Sequence, residues 1–184
     1  MKKTFCSTFF LLIVLSGFSF SFNQNNYWNK VKKINYDSLY FKSLDLIEKD
    51  KISQSIEILN QVISDSKNKS LILNAYYDLG QLYLSRSSDY EQSVEYFLLI
   101  LNNTFSYRIK ENSDIKSFLE LKEKSLFMIG YIYHNHIGDL TKAKKYYDFF
   151  LNDYPESDLI SSVSYELEII NQSILEFNQQ VQKK

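Results

Sequence analysis

Cysteine, proline and glycine are all scarce in this chain of 184 residues, which has one cysteine, one proline and four glycines. So few glycines and prolines argue against a turn-rich all-β protein. Basic and acidic residues are nearly balanced, with a formal net charge of −1 and no basic block, so nucleic acid is not an expected partner. The remaining composition, 45% hydrophobic and 23% charged, suits one globular domain.

Sequence signatures of enzymes are also missing. The chain has no Gly-rich phosphate loop and no nucleophile elbow, and its only cysteine, Cys6, lies near the N-terminus. We therefore predict a protein that is not an enzyme and that uses no metal and no cofactor.

The N-terminus has the pattern of a secretory signal peptide. Two lysines precede an apolar run, Phe9–Phe22, and small residues mark cleavage sites after Ser19 or Ser21. This pattern predicts a signal peptide over residues 1–21. It also predicts export to the periplasm or cell envelope of a Gram-negative-like bacterium.

An uncleaved membrane anchor is the alternative for the same segment. Phe5–Phe22 has 18 residues, which is close to the minimum length of an apolar helix that spans a bilayer. A lipid anchor is not expected, because the Leu15–Gly17 motif is followed by Phe18 where a cysteine would be needed. If the segment is removed, the mature chain has no cysteine, which excludes disulfides and thiol catalysis.

An internal repeat dominates the rest of the chain. Tyr76–Leu101 aligns with Leu126–Leu151 at a constant offset of 50 residues and without a gap. Each copy reads as two amphipathic helices joined by a short polar turn. The equivalent positions are Tyr76 and Leu126, Leu79 and Ile129, Gly80 and Gly130, Tyr83 and Tyr133, Ser93 and Ala143, and Phe97 and Tyr147.

The two aligned glycines predict close contact between the helices of each copy. A glycine inside a helix costs about 1 kcal/mol relative to alanine, and a close helix–helix approach would offset this cost. Ser93 and Ala143 are small residues where the second helix would cross the first, and Phe97 and Tyr147 lie one turn later on the same face. Pro155 marks the end of the second copy, because proline cannot continue a helix.

These residues resemble the signature of the tetratricopeptide repeat. The Leu126 copy carries the signature as far as Pro155, the Tyr76 copy lacks the final proline, and both have one extra residue in the turn between helices. A degenerate third copy, Leu39–Ile63, has Ser43 in place of the glycine. The resemblance implies an all-α fold, a TPR-like α-solenoid of about three helical hairpins plus a C-terminal capping helix.

The domain boundaries follow from the repeat. Residues 22–36 form an N-terminal segment, residues 37–175 form the helical repeat domain, and residues 176–184 form a polar C-terminal tail. An apolar stripe over residues 159–174 predicts the capping helix, which covers the last apolar face of a repeat array.

The spacing of the two clear copies exceeds the usual repeat of about 34 residues. The surplus lies in Asn102–Lys124, which is either a longer second helix with a loop or a helical extension of the next repeat. Such an insertion either contributes to binding or is a neutral addition to the surface.

The tripeptide His134-Asn135-His136 invites interpretation as a metal site. Residues two apart on a helix point about 200° apart, whereas helical metal ligands are spaced four apart. The chain has no other histidine. We therefore expect His134 to end a helix and His136 to open the turn, with a metal-dependent hydrolase at these residues as the alternative.

In the tetratricopeptide family, the first helices of successive repeats line a concave groove. The resemblance implies groove positions at fixed offsets from Ser43, Gly80 and Gly130. These positions are Asp37, Tyr40, Leu44, Ile47, Glu48, Asn74, Tyr77, Gln81, Leu84, Ser85, Lys124, Phe127, Tyr131, His134 and Asn135.

Tyr40, Tyr77 and Phe127 would form an aromatic ladder along this groove. Exposed aromatics beside amides suit an extended peptide or a partner helix. The alternative is that the chain's own segment Asn25–Tyr36 covers the ladder.

The leading hypothesis is a non-enzymatic scaffold that binds a protein or peptide partner in the envelope. With its export signal, the chain resembles small envelope tetratricopeptide proteins that work beside outer-membrane assembly and Tol-Pal complexes. An interaction protein anchored in the inner membrane is the alternative, and membrane contact is expected only if the N-terminal segment is retained.

Overall fold

A computed structural model of the protein describes residues 34–102 and 112–182. These ranges contain seven α-helices and no strand. The helices are α1 (Tyr36–Glu48), α2 (Ile52–Asp65), α3 (Lys69–Leu82), α4 (Tyr90–Leu101), α5 (Asn112–Ile132), α6 (Leu140–Asp153) and α7 (Ile160–Gln182). The predicted signal peptide, its anchor alternative and the N-terminal segment as far as residue 33 lie outside the described residues.

Side-chain caps begin α4 and α6 at matched places in the repeat. Asp89 accepts a hydrogen bond from the backbone N–H of Gln92 at 3.1 Å, and Asp139 accepts one from the backbone N–H of Lys142 at 3.0 Å. A carboxylate at this position satisfies an N–H group that the first turn of a helix leaves unpaired. The second helix of each clear copy therefore starts where the aligned sequences both have an aspartate.

The extra residue of the two clear copies lies at the end of the first helix rather than in the polar turn. Tyr83–Ser87 and Tyr133–Ile137 each form a single π-helical turn, which inserts one residue into a helix. A left-handed residue follows each turn, Ser88 with φ of 52° and Gly138 with φ of 78°. Between α1 and α2 the structure has no π-turn, and Asp50, with φ of 55°, is the left-handed residue.

Each helix packs against the next along the chain, and the first helices of the hairpins also pack side by side. The hairpins are α1 with α2, α3 with α4, and α5 with α6, and α7 packs on α6. Contacts of α3 with α1 and with α5 join successive hairpins. The predicted all-α solenoid of three hairpins and a capping helix is thus confirmed.

The aligned glycines lie where the two helices of a hairpin approach closely. A β-carbon built on Gly80 would lie 2.8 Å from Cζ of Phe97, and Gly130 stands in the same relation to Tyr147. Beside this contact, Ser93 donates a hydrogen bond from Oγ to the carbonyl oxygen of Gly80 at 2.7 Å. The aromatic ring therefore occupies the space that a side chain on the glycine would need.

The two helices of the degenerate first copy cross in the same way, with Ser43 in place of the glycine and Leu59 in place of the aromatic residue. Ser55 donates a hydrogen bond from Oγ to the carbonyl oxygen of Ser43 at 2.9 Å, and both serines are fully buried. Leu59 is fully buried at the position that Phe97 and Tyr147 take in the other hairpins. The hydroxyl-to-carbonyl bond thus joins the helices of the first and second hairpins alike.

Two helices are longer than the repeat requires. Because α5 begins at Asn112, the described part of the insertion is a helical extension of the next repeat, which is one of the two alternatives left open by the sequence. Because α7 continues to Gln182, most of the predicted polar tail over residues 176–184 is helical. None of the helices within the described ranges has both the length and the apolarity needed to cross a bilayer.

Helix α7 closes the array with one apolar and one polar face. Val163, Leu167 and Ile170 are buried against the core of the third hairpin. The opposite side of α7 is polar and exposed, at Ser161, Ser164, Glu168 and Asn171. Tyr165 is also exposed on α7, and Leu175, Phe177 and Val181 are exposed nearer its C-terminal end, so the outer face is mainly polar only over the first turns of the helix.

Candidate partner-binding face

The groove positions predicted from the repeat lie on α1, α3 and α5 and on the two π-turns, and we call them the groove face. None of them is buried. The exposed ones are Asp37, Glu48, Ser85, Lys124 and Asn135, and the half-buried ones are Tyr40, Leu44, Ile47, Asn74, Tyr77, Gln81, Leu84, Phe127, Tyr131 and His134.

The three aromatic residues of the proposed ladder are only half-exposed. The ring of Tyr77 meets the ring of Phe97 edge-on, with centroids 5.5 Å apart, and Phe127 lies 6.1 Å from Tyr147. Tyr77 and Phe127 therefore each pack on the core aromatic of their own hairpin, whereas the first hairpin has Leu59 at that position. All three ladder residues remain partly exposed.

Part of the groove face forms an open cleft between α1 and α3. Its volume is about 400 Å³. Five of the predicted groove positions line it together, namely Leu44, Ile47, Glu48, Gln81 and Ser85. Three further residues complete the wall, namely Asp78, Leu82 and Arg86. The cleft combines an apolar floor with carboxylate, amide and hydroxyl groups.

Asp78 is the most enclosed charged group of this cleft. Its Oδ2 accepts a hydrogen bond from the Tyr40 hydroxyl at 2.6 Å, which joins α3 to α1. Burial raises the pKa of the Asp78 carboxyl above its ordinary range, and the Tyr40 hydrogen bond opposes part of that rise. Burial and the neighbouring carboxylate also raise the pKa of the Tyr40 hydroxyl. Tyr40 therefore serves as a neutral donor to Asp78 at physiological pH.

The two histidines lie on the second π-turn and contact different partners. Nδ1 of His134 is 2.5 Å from Oε2 of Glu166 on α7, and both side chains are largely buried. The ring of His136 instead stacks on Tyr90, with centroids 4.5 Å apart. Across the parts of the chain that the structure describes, no group of three or more His, Cys, Asp or Glu residues could hold a metal ion. His134 thus bridges to the capping helix, while His136 packs on α4.

A buried hydroxyl group lies behind the His134–Glu166 pair. The Tyr147 side chain is fully buried, and within the described ranges its hydroxyl has no hydrogen-bond partner. Burial, followed by the nearby Glu166 and Tyr131, raises the pKa of this hydroxyl. At the equivalent position the second hairpin has Phe97, which has no polar atom to satisfy.

Sequence reasoning missed two carboxylates at this face. Asp78 falls two residues before the aligned glycine, outside the family offsets, and only the packing of α1 on α3 reveals its contact. Glu166 lies beyond the aligned copies of the repeat, and the structure shows Glu166 half-buried and its neighbour Glu168 exposed. The signal available for Asp78 was that it is the one carboxylate in the sequence of α3.

A second open cleft lies where the extension of α5 meets the end of α6. Ile115, Leu119 and Tyr154 supply its apolar wall. Its polar residues are Lys116, Glu120, Glu123 and Asp153. Glu123 accepts a hydrogen bond from the Ser157 hydroxyl, so this end of the extension is tied to the turn before α7.

The repeat-signature residues lie mainly in the interior of the hairpins. The buried ones are Leu79, Gly80, Ser93, Phe97, Leu126, Ile129, Gly130, Ala143 and Tyr147. The three tyrosines of the signature outside α6 are half-buried. They are Tyr76 on α3, and Tyr83 and Tyr133 at the start of the two π-turns. Pro155 is exposed in the turn between α6 and α7.

Comparison with known families identifies the second and third hairpins. Residues 73–103 and residues 124–157 each match a family model described as tetratricopeptide repeat. A search of curated proteins found no match. Proteins with these repeats typically bind other proteins and are generally non-enzymatic scaffolds. The two matched segments coincide with two structural hairpins, so the second and third hairpins of this chain are tetratricopeptide repeats.

Proposed function

We propose that this protein is a non-enzymatic scaffold of the bacterial cell envelope that binds an extended peptide or a partner helix along its groove face. The observation that carries the proposal is the cleft between α1 and α3, where five of the predicted groove positions meet. A surface that is concave, partly apolar and lined by a few polar groups is the usual form of a binding site.

The chemistry of the groove face supports a polypeptide partner. Gln81, Asn74 and Asn135 offer amide groups that can form hydrogen bonds with a peptide backbone. Tyr77 and Phe127 offer partly exposed aromatic rings. Aromatic anchors beside hydrogen-bonding groups are the common composition of protein-binding surfaces.

Site-specific photocrosslinking in cells tests the proposed surface. A photoreactive amino acid is placed at Gln81 and, separately, at Tyr131, with Asn60 on α2 as the exposed control position. We expect one adduct of the same mass from both groove positions and none from Asn60. Equal adducts from all three positions, or none from either groove position, would contradict the proposal.

The cellular location is a separate part of the proposal, supported by the pattern of residues 1–21. Mass spectrometry of the protein recovered from its native cells should find an N-terminus at Phe20 or Phe22. An N-terminus that still includes the apolar run would instead support the inner-membrane anchored alternative. Work beside outer-membrane assembly or Tol-Pal complexes is proposed only from resemblance, and the identity of the crosslinked adduct tests it.

A further inference from the structure

The cleft between α1 and α3 has a distinctive distribution of apolar and charged groups. Leu44, Ile47 and Leu82 form its apolar wall, and the carboxylates of Glu48 and Asp78 lie at its polar side. A ligand group that fills such a cleft needs an apolar stem and a polar, cationic end.

Asp78 has capacity for a further hydrogen bond. An ionised carboxylate accepts about four hydrogen bonds. In the part of the chain that the structure describes, its side chain has one hydrogen-bond partner, the Tyr40 hydroxyl at 2.6 Å on Oδ2. The other carboxylate oxygen is left for a donor that enters the cleft.

Arg86 supplies the one positive charge among the residues that line the cleft. Its guanidinium lies 3.5 Å from Oδ1 of Asp50, and both side chains are more than half-exposed, so this ion pair is weak. Against the two carboxylates of Glu48 and Asp78, the single charge of Arg86 leaves the lining with a formal net charge of −1.

The charged groups of the groove face and of the cleft lining together are also acidic on balance. Asp37, Glu48 and Asp78 stand against Lys124 and Arg86, three carboxylates against two cations, which leaves a formal net charge of −1. Charge complementarity across an interface selects partners and speeds their association. A groove with this balance favours a basic segment over an acidic one.

We infer that the cleft between α1 and α3 is the anchor pocket for a lysine or arginine side chain in an extended basic segment of a partner protein. The methylene stem lies along Leu44, Ile47 and Leu82, as long cationic side chains do on apolar surface. The cationic end donates to Asp78 and Glu48 in charge-assisted hydrogen bonds. This inference rests on the proposed binding role and names the chemistry of the partner.

A matched pair of peptides tests the charge requirement directly. The probes are an acetylated, amidated pentapeptide with lysine between serines and the same peptide with norleucine, which keeps the stem and removes the charge. Binding to the isotope-labelled full protein is followed by NMR shifts of Leu44, Ile47 and Gln81. We expect saturable shifts with a Kd on the order of 1 mM for lysine and binding about tenfold weaker for norleucine.

Variants locate the binding of the lysine peptide. Asp78→Asn should weaken it about tenfold, and Glu48→Gln, at an exposed position that folding does not need, about threefold. Arg86→Ala should strengthen it, because a competing positive charge is removed from the rim. The control, Glu57→Gln, makes the same charge change at an exposed position of α2 and should leave Kd unchanged.

The outcomes separate this inference from the proposed function. Equal binding of the two peptides, absence of shifts at the cleft, or lysine binding that neither Asp78→Asn nor Glu48→Gln weakens would overturn the inference. If a groove-specific crosslinked adduct is nevertheless found, the scaffold role stands and its partner is not held by a cation in this cleft.

Discussion

The ring of Tyr147 lies directly against Gly130, so that a β-carbon on the glycine would be 2.6 Å from Cε1 of the tyrosine. Real β-carbons essentially never approach other atoms so closely, and the Tyr147 side chain is fully buried. The close approach of the helices α5 and α6 therefore depends on the absence of a side chain at this position.

Gly130→Ala should destabilise the protein even though alanine is the better helix former. Overpacking a core costs about 1–3 kcal/mol, which outweighs the gain of about 1 kcal/mol in helix propensity. We expect a net loss of about 1 kcal/mol in the free energy of unfolding, measured by urea denaturation. Asn60→Ala, at an exposed position of α2, is the control and should not destabilise. A Gly130→Ala variant as stable as the parent would contradict the packing described.

Tyr147→Phe should stabilise the protein or leave its stability unchanged. The Tyr147 hydroxyl is buried without a hydrogen-bond partner among the described residues, and an unsatisfied polar group of this kind costs about 1–3 kcal/mol. The second hairpin already has phenylalanine at this position. The free energy of unfolding should rise by up to about 1 kcal/mol. A clear loss of stability would show that the hydroxyl has a partner.

Glu166→Ala should loosen the capping helix without disturbing the first two hairpins. Glu166 forms the hydrogen bond that joins α7 to His134, and its side chain is 22% exposed. A hydrogen bond to a charged group contributes about 1.5–3 kcal/mol, so amide exchange in α7 should become about tenfold faster or more. Hydrogen exchange with mass spectrometry measures this by segment.

The control for that variant lies two residues away on the same helix. Glu168 is exposed, so Glu168→Ala makes the same chemical change without breaking a contact to His134. Faster exchange in both variants would mean that loss of charge on α7, rather than loss of the hydrogen bond to His134, controls its opening.

Asp78→Asn should change the pH dependence of stability in a defined direction. Burial raises the pKa of Asp78 in the folded protein above its ordinary value of 3.8. The folded state then binds this proton more tightly than the unfolded state, so the stability that it contributes is lost as pH rises through the raised pKa. Asparagine does not titrate, so the variant should gain stability relative to the parent as pH rises.

The measurement is the difference in unfolding free energy between Asp78→Asn and the parent, at several values between about pH 4 and pH 7. The difference should move in favour of the variant with increasing pH, and Glu57→Gln, at an exposed position of α2, is the control for the same change of charge. A trend of opposite sign would mean that the Tyr40 hydrogen bond, which favours the ionised carboxylate, outweighs burial.

The hairpins could be predicted from the sequence because their defining contacts are close along the chain. Gly80 and Phe97 are 17 residues apart, and the same pair of positions recurs at a fixed offset as Gly130 and Tyr147. A repeat therefore displays the contact twice, and the steric reason for the glycine can be inferred without coordinates.

The contacts between hairpins could not be predicted in the same way. The Tyr40–Asp78 and His134–Glu166 contacts join residues 38 and 32 positions apart, and they depend on how one hairpin is rotated on the next. Helix α7 has no aligned glycine to set its register, so Glu166 had no expected partner. The sequence shows that each clear copy is one residue longer than the family signature. Only the backbone structure shows that this residue lies in a π-helical turn.

The outer side of α7 affects how this protein can be lengthened. A helical unit packed beside Ser161, Ser164, Glu168 and Asn171 would meet mainly polar groups, with Tyr165 as an exposed aromatic side chain. A new hairpin inserted between the second and third hairpins would instead find an apolar neighbour on both sides. In design terms, this array should be lengthened more readily from within than by stacking a unit on that part of α7.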